Sequence, residues 1–164
     1  MPELPEVTVY VEALRRHVEG RVLERARIRS PSLLKTWDPP LGDAEGRQVV
    51  GVRRIGKRIV WEAEGRLFLV FHLMITGRMR WKDRGVSVPR KVGLAAFDFP
   101  HGAILLTEAG TKKRASLHVV RGEDRLAEFD AGGVEPLKTD LKTFRRALLR
   151  ENRTLKRALT DPRI

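Results

Sequence analysis

Gln48-Val49-Val50-Gly51-Val52-Arg53-Arg54-Ile55-Gly56-Lys57-Arg58-Ile59-Val60-Trp61-Glu62-Ala63-Glu64-Gly65-Arg66-Leu67-Phe68-Leu69-Val70-Phe71-His72-Leu73 is dense in β-branched and aromatic residues. Gly56-Lys57 and Glu64-Gly65 divide it into segments of strand length, each too short for a helix that buries a stripe. The same texture continues downstream. Strands are expected at roughly 48–55, 58–63, 66–73, 78–82, 94–99, 103–108 and 116–120, with Pro100-His101-Gly102 as another turn. Short strands at this spacing predict a two-layer antiparallel β-sandwich, mainly β with flanking helices.

Toward the N-terminus, Val7, Val11, Leu14 and Val18 recur at helical spacing, so residues 3–19 should form one amphipathic helix that Gly20 ends. Between Val22 and Ile28 the side chains Val22, Ala26 and Ile28 fall on one side of an extended segment and Arg25, Arg27 and Arg29 on the other, a half-buried strand. Residues 30–46, with three prolines, read as loop.

Toward the C-terminus the alternation stops near Gly122, and Asp130-Ala131-Gly132-Gly133-Val134-Glu135-Pro136 reads as a linker. Beyond it, Thr139 or Asp140 can cap a helix with Leu141, Phe144 and Leu148 inward, and Asn152 can cap a second holding Leu155 and Leu159. The expected organisation is a sandwich domain over 1–122, a linker over 123–137 and a partial helical segment over 138–164. Two helices this short cannot bury their own apolar faces, so the segment reads as the start of a truncated second domain.

Composition narrows the function. In 164 residues there are 33 Lys and Arg against 21 Asp and Glu, a net charge of +12 that points to a polyanionic partner. Zero cysteines exclude disulfides, thiol catalysis and a cysteine-based zinc site within the chain. No apolar run approaches a membrane span, and charges throughout residues 1–20 leave no signal-peptide core, so a soluble cytoplasmic protein is expected.

There is no Gly-rich phosphate loop and no G-x-S-x-G elbow, and His17, His72, His101 and His118 lack ligand spacing, so no metal site is expected. What stands out is Met1-Pro2-Glu3-Leu4-Pro5-Glu6. Two readings compete there. Proline and glutamate both suit the first turn of a helix, for purely structural reasons. Alternatively, removal of Met1 leaves Pro2 as a terminal secondary amine, and an α-amine titrates near 8, roughly two units below lysine. Such an amine beside a carboxylate can attack a sugar C1′ and form a Schiff base, with Glu3 shuttling protons.

Pro2-Glu3-Leu4-Pro5-Glu6-Val7 resembles the opening signature of the formamidopyrimidine-DNA glycosylase and endonuclease VIII family of base-excision repair enzymes. Arg53-Arg54-Ile55-Gly56-Lys57-Arg58 is similar to the family segment with a phosphate-contacting lysine, and Phe71-His72-Leu73-Met74-Ile75-Thr76-Gly77-Arg78 to its H-L-x-M-[ST]-G strand end. Asn152-Arg153-Thr154-Leu155-Lys156-Arg157-Ala158-Leu159-Thr160-Asp161 resembles the beginning of its helix-two-turn-helix element.

The resemblance implies excision of oxidised or ring-opened bases and strand cleavage at the abasic site. It gives Pro2 the role of Schiff-base nucleophile, Glu3 that of acid/base, and Glu6 that of a supporting carboxylate. Lys57, grouped with the catalytic set, and His72 become phosphate contacts around an extruded nucleotide, and Lys156 becomes the lysine near the lesion. The expected partner is damaged or abasic DNA, and the chain a monomer unless its truncated helices self-associate.

Three departures bear on these roles. Ile75 stands where the family has the methionine that fills the hole left by the flipped base, and Met74 precedes it. The D-x-R-R-F-G loop is replaced by Thr107-Glu108-Ala109-Gly110-Thr111-Lys112-Lys113-Arg114-Ala115-Ser116, which has no aromatic wedge but offers Lys112, Lys113 and Arg114 to phosphates or a base pair. The family's G-[IV]-G-N turn and C-terminal zinc finger would fall beyond Ile164, so no cofactor is expected in this chain and zinc only in the missing part.

Overall fold

The computed structural model describes residues 2–161 and 163–164, which fall into two compact units, Met1–Leu126 and Ala127–Ile164. The first begins with helix α1 (Leu4–Val18), with Pro5 in its first turn and Val7, Val11, Leu14 and Val18 buried. Eight strands follow: β1 (Arg25–Ile28), β2 (Val49–Ile55), β3 (Arg58–Ala63), β4 (Leu67–His72), β5 (Gly77–Lys82), β6 (Gly93–Phe99), β7 (Gly102–Glu108) and β8 (Ser116–Arg121). They form two four-stranded antiparallel sheets, ordered β1-β6-β7-β5 and β2-β3-β4-β8. The expected sandwich is therefore the observed fold.

Alternation decides which side chains meet between the sheets. From β3 and β4 the inward set is Ile59, Trp61, Ala63, Leu67, Leu69 and Phe71, facing Leu94, Phe97, Phe99, Ile104 and Leu106. Trp61 lies at the centre, its ring 4.7 Å from Phe71 and 5.3 Å from Phe97. α1 packs its valine and leucine stripe on β2 and β3, which brings the start of the chain to the sandwich.

Two tight connections matter for the site. Ile55 pairs with Arg58, so β2 and β3 are joined by the two residues Gly56 and Lys57. Gly56 has φ +54°, the positive value that a type II′ hairpin demands at its first central position, and Lys57 is left at the tip. Between β4 and β5 the chain turns through Leu73–Thr76, closed by the Gly77 N–H donating to the Leu73 carbonyl at 3.0 Å. Met74 adopts φ +55° there, and a Cβ on Gly77 would overlap Leu73 backbone.

The structure corrects several local expectations. The first strand is shorter than 22–28, and Val22, bridged to Gln48, is 39% exposed because it lies outside the sheet. Residues 30–46 are not plain loop. They hold 3₁₀ turns at Pro31–Leu33 and Leu41–Ala44, and Leu34 bridges Leu117, with the Lys35 N–H donating to Leu117 and the Thr36 hydroxyl accepting from Val119 along β8. The segment expected as linker opens with helix α2 (Glu123–Ala127), whose Leu126 is buried.

The second unit contains α3 (Leu141–Leu148) and α4 (Leu155–Thr160). Asp140 caps α3, accepting the Thr143 N–H at 2.6 Å, a bond that holds its carboxyl below the usual range. The N-cap of α4 is Thr154 rather than Asn152. The inward faces also differ from expectation: Ala147 and Ala158 are buried, whereas Leu141, Leu155 and Leu159 are exposed. Each helix keeps one apolar stripe, Leu141, Phe144, Ala147 and Leu148 on α3 and Leu155, Ala158 and Leu159 on α4, and Phe144 and Leu148 of the expected inward set are half-buried, but helices this short cover only part of each other's stripe. Among the described residues no helix is long and apolar enough to cross a membrane.

Candidate active site and nucleic-acid interface

The start of α1, the β2–β3 hairpin tip and the end of β4 supply the residues of one site. Pro2 is buried and Glu3 is the N-cap of α1. Its backbone N–H donates to Glu6 Oε2 at 2.9 Å, so Glu6 fixes the helix start from which Glu3 projects. The Glu3 carboxylate reaches Lys57 Nζ at 2.6 Å. Both side chains are partly in water, at 57% and 37% exposure, so the pair contributes at most about 1 kcal/mol to stability and its consequence is positional.

His72 ends β4 on the sheet face opposite the core, and His118 of β8 sits diagonally across from it, since Val70 pairs with His118 and His72 with Ser116. Burial pushes the His72 imidazole below its ordinary pKa, and the Arg58 and Lys57 cations and His118 add to the effect. His118 is lowered by burial and by Arg58 and Lys35. This corner therefore combines fixed cations with two neutral imidazoles able to donate N–H bonds, a surface suited to phosphate. His118 and Arg58 were not among the sequence candidates. The available signal was parity: both occupy outward positions of strands flanking His72.

Ile75 projects from the β4–β5 turn and is 48% exposed, while Met74 is half-buried. The turn is tied to the loop between β7 and β8, where the Gly110 N–H donates to the Thr76 hydroxyl at 3.3 Å. That loop is organised by Glu108, 1% exposed, whose carboxylate accepts the N–H groups of Arg114 at 2.9 Å and Ala115 at 3.1 Å. Lys112 and Arg114 are exposed. Lys113 departs from the expectation of three equivalent cations, because its ammonium donates to the carbonyls of Glu108 and Gly110 and holds the loop closed. Lys156 is exposed on α4 in the second unit, where the Asp161 carboxylate is held well below its usual range by Arg163 and Arg153.

A zinc ion does not fit the residues present. There is no cysteine, and among the described residues no three His, Asp or Glu side chains converge.

Comparison with known proteins identifies the domain that carries this site. The family model described as formamidopyrimidine-DNA glycosylase N-terminal domain matches residues 1–122. The formamidopyrimidine-DNA glycosylase of Mycoplasma genitalium is 28% identical over 152 residues, covering 90% of this chain and 53% of that protein. That of Rhizorhabdus wittichii is 33% identical, covering 100% of this chain and 61% of that protein. This chain thus spans between half and two thirds of these relatives' length. Among solved structures, the Lactococcus lactis Fpg complexed with an abasic site containing DNA superposes with a TM-score of 0.86 at 21% identity, covering 99% of this chain and 61% of that one, a likeness of fold. With the sandwich and the Pro2–Glu3 opening both inside the matched 1–122 segment, this chain belongs to the formamidopyrimidine-DNA glycosylase family through its N-terminal domain.

Proposed function

We propose that the chain carries the catalytic half of a DNA glycosylase that removes oxidised or ring-opened bases and cleaves the strand at the resulting abasic site. The observation that carries this reading is the Glu3–Lys57 contact of 2.6 Å beside buried Pro2, which joins a proton-transfer group and a phosphate-binding cation at the chain start. Met1 lies outside the described residues. With Met1 removed, the Pro2 nitrogen attacks C1′ and displaces the base, and opening of the C1′–O4′ bond with a proton delivered to O4′ gives the covalent iminium. At a preformed abasic site the amine adds to the C1′ aldehyde and loses water to reach the same iminium, from which loss of a C2′ proton expels the 3′ phosphate. Glu3 moves protons at the sugar. Lys57 and His72 hold the flanking phosphates, and Ile75 fills the space vacated by the extruded nucleotide. Lys112 and Arg114 bind backbone, Lys113 keeps their loop in shape, and Lys156 is a further DNA contact.

Borohydride reduction tests the central step. The protein should be trapped covalently on abasic-site DNA, with the adduct in the N-terminal peptide. Trapping at a lysine, unaffected by Pro2→Gly, would overturn it. A second reading, a catalytically weak DNA-binding chain, is favoured by the net charge of +12. Strong salt-dependent binding without any trapping would select that one.

A further inference from the structure

Outside the site, one charged feature has no role in the chemistry above. Between the end of β1 and the β5–β6 connection lies a cleft of about 860 Å³ lined by Arg27, Arg29, Arg90, Lys91 and Lys113 and by no carboxylate. Its walls are built rather than incidental. Arg27 grips Asp98 through two bonds of 2.6 and 2.8 Å and donates to the Val86 carbonyl at 2.8 Å, fastening the connection to β1. The connection then closes in a tight turn, the Gly93 N–H donating to the Pro89 carbonyl at 2.9 Å, and a Cβ on Gly93 would overlap Pro89 and Val88.

The cations divide into two kinds. Arg27 and Lys113 are committed to Asp98 and to loop carbonyls respectively. Arg29, Arg90 and Lys91 are exposed, and among the described residues their side chains make no hydrogen bond or ion pair. Clustered cations without a counter-charge repel one another and gain most from a polyanion. No aromatic ring lines the cleft, so nothing there stacks a base, and the matching chemistry is that of backbone phosphates. Direction comes from bonded contacts. Lys113 binds the Gly110 carbonyl, Gly110 binds Thr76, and Thr76 follows Ile75.

We propose that this cleft is a second DNA-backbone site, in which Arg29, Arg90 and Lys91 hold phosphates of the duplex flanking the lesion. It rests on the reading that the chain acts on DNA. The cleft lengthens the footprint along the duplex and orients it relative to Ile75, and it carries no sequence preference.

The test uses the whole chain, a 20-base-pair duplex with one abasic site and a single-stranded hexamer with the same site. Three contacts should contribute roughly 2.7 to the slope of log binding constant against log salt on the duplex, at about 0.9 each. The triple variant R29A/R90A/K91A should lose that contribution, and the double variant R29K/R90K, which keeps all three charges, should keep it. An unchanged duplex slope in a triple-alanine variant with the parent's circular dichroism overturns the cleft. So does loss of binding to phosphatidylglycerol vesicles while duplex binding stays, which would assign the cleft to lipid. Trapping of the unaltered chain on the hexamer reports the Pro2 reading separately. Failure there, with the slope still falling on the duplex, removes the lyase and leaves the cleft.

Discussion

Glu3 and Lys57, far apart in the chain, hold each other at 2.6 Å because a helix start and a hairpin tip converge at one end of the sandwich. Neither residue owes this placement to the pair itself, which is too exposed to stabilise the fold appreciably. Glu3 is set by the capping of α1 through Glu6, and Lys57 by the two-residue turn that Gly56 permits. The carboxylate thus meets the lysine already oriented, the kind of preorganisation that proton transfer at a sugar requires.

Glu3→Gln should lose base excision by about 100- to 10,000-fold, the usual range for removing an acid/base group, and lose cleavage of a preformed abasic site by less. The first step needs a proton moved to or from base or sugar, whereas iminium chemistry proceeds partly without it. Single-turnover rates on the two substrates check this; equal losses would make Glu3 structural.

Lys57→Ala should reduce the salt slope of DNA binding by about 0.9 and leave lesion preference unchanged, since a phosphate contact positions the duplex without reading it. Binding titrations across a salt series give the slope. No change would mean that Lys57 serves Glu3 alone.

His72 and His118 both have pKa values lowered in the folded chain, chiefly by burial. The unfolded chain then binds protons more readily, so stability rises with pH across the window. The contribution is complete above the unfolded value of about 6.5 and is lost as pH falls from there toward the lower folded values. The melting temperature should drop between pH 7 and 5, less so in His72→Gln. A phosphate at His72 favours the charged imidazole instead, so DNA binding near pH 6 should take up protons, measurable by calorimetry in buffers of different ionisation enthalpy.

The sandwich was legible because its strands alternate and its turns carry Gly or Pro where the backbone requires them, as at Gly56 and Gly65. The α1 stripe was legible for the same periodic reason. What pattern could not convey was pairing between strands distant in sequence. His118 stands beside His72 only through the β4–β8 register, and nothing local to either residue announces it. Nor does a run such as Lys112-Lys113-Arg114 reveal that its middle member turns inward to two carbonyls. The exposure of Leu141, Leu155 and Leu159 was not legible because periodicity identifies the apolar stripe of a helix but not how much of it a short neighbour covers.

Glu108→Ala should release the β7–β8 loop. The buried Ala115 N–H loses its acceptor, at a cost of about 1–3 kcal/mol, and the Arg114 N–H turns to solvent. Glu108→Gln keeps a carbonyl acceptor and should cost less. Denaturant unfolding together with protease sensitivity at residues 109–115 distinguishes the two; equal stability of both variants would mean that Lys113 alone holds the loop.

The second unit should be the first part of the chain to open. Among its described residues the buried apolar side chains are Ala147 and Ala158, each a single methyl, while Leu137, Leu141, Leu149, Leu155 and Leu159 are between 56% and 80% exposed. Burial of two methyl groups stabilises by about 1–2 kcal/mol at roughly 0.8 kcal/mol per carbon, comparable to the cost of fixing a single backbone residue. The Asp140 cap is solvent-exposed and adds little, and the Asp161–Arg163 and Asp161–Arg153 bonds are ion pairs local to this unit that do not fasten it to a larger core. Limited proteolysis should therefore cut within Ala127–Ile164 well before the sandwich, leaving a resistant fragment ending near Leu126. The exposed leucines should also bind a hydrophobic dye or drive self-association at high concentration. Replacing Leu141, Leu155 and Leu159 by glutamine should reduce dye binding without lowering the melting temperature of the sandwich. Protection of residues 127–164 equal to that of the β-strands in hydrogen exchange would show that the leucines are covered and the argument wrong.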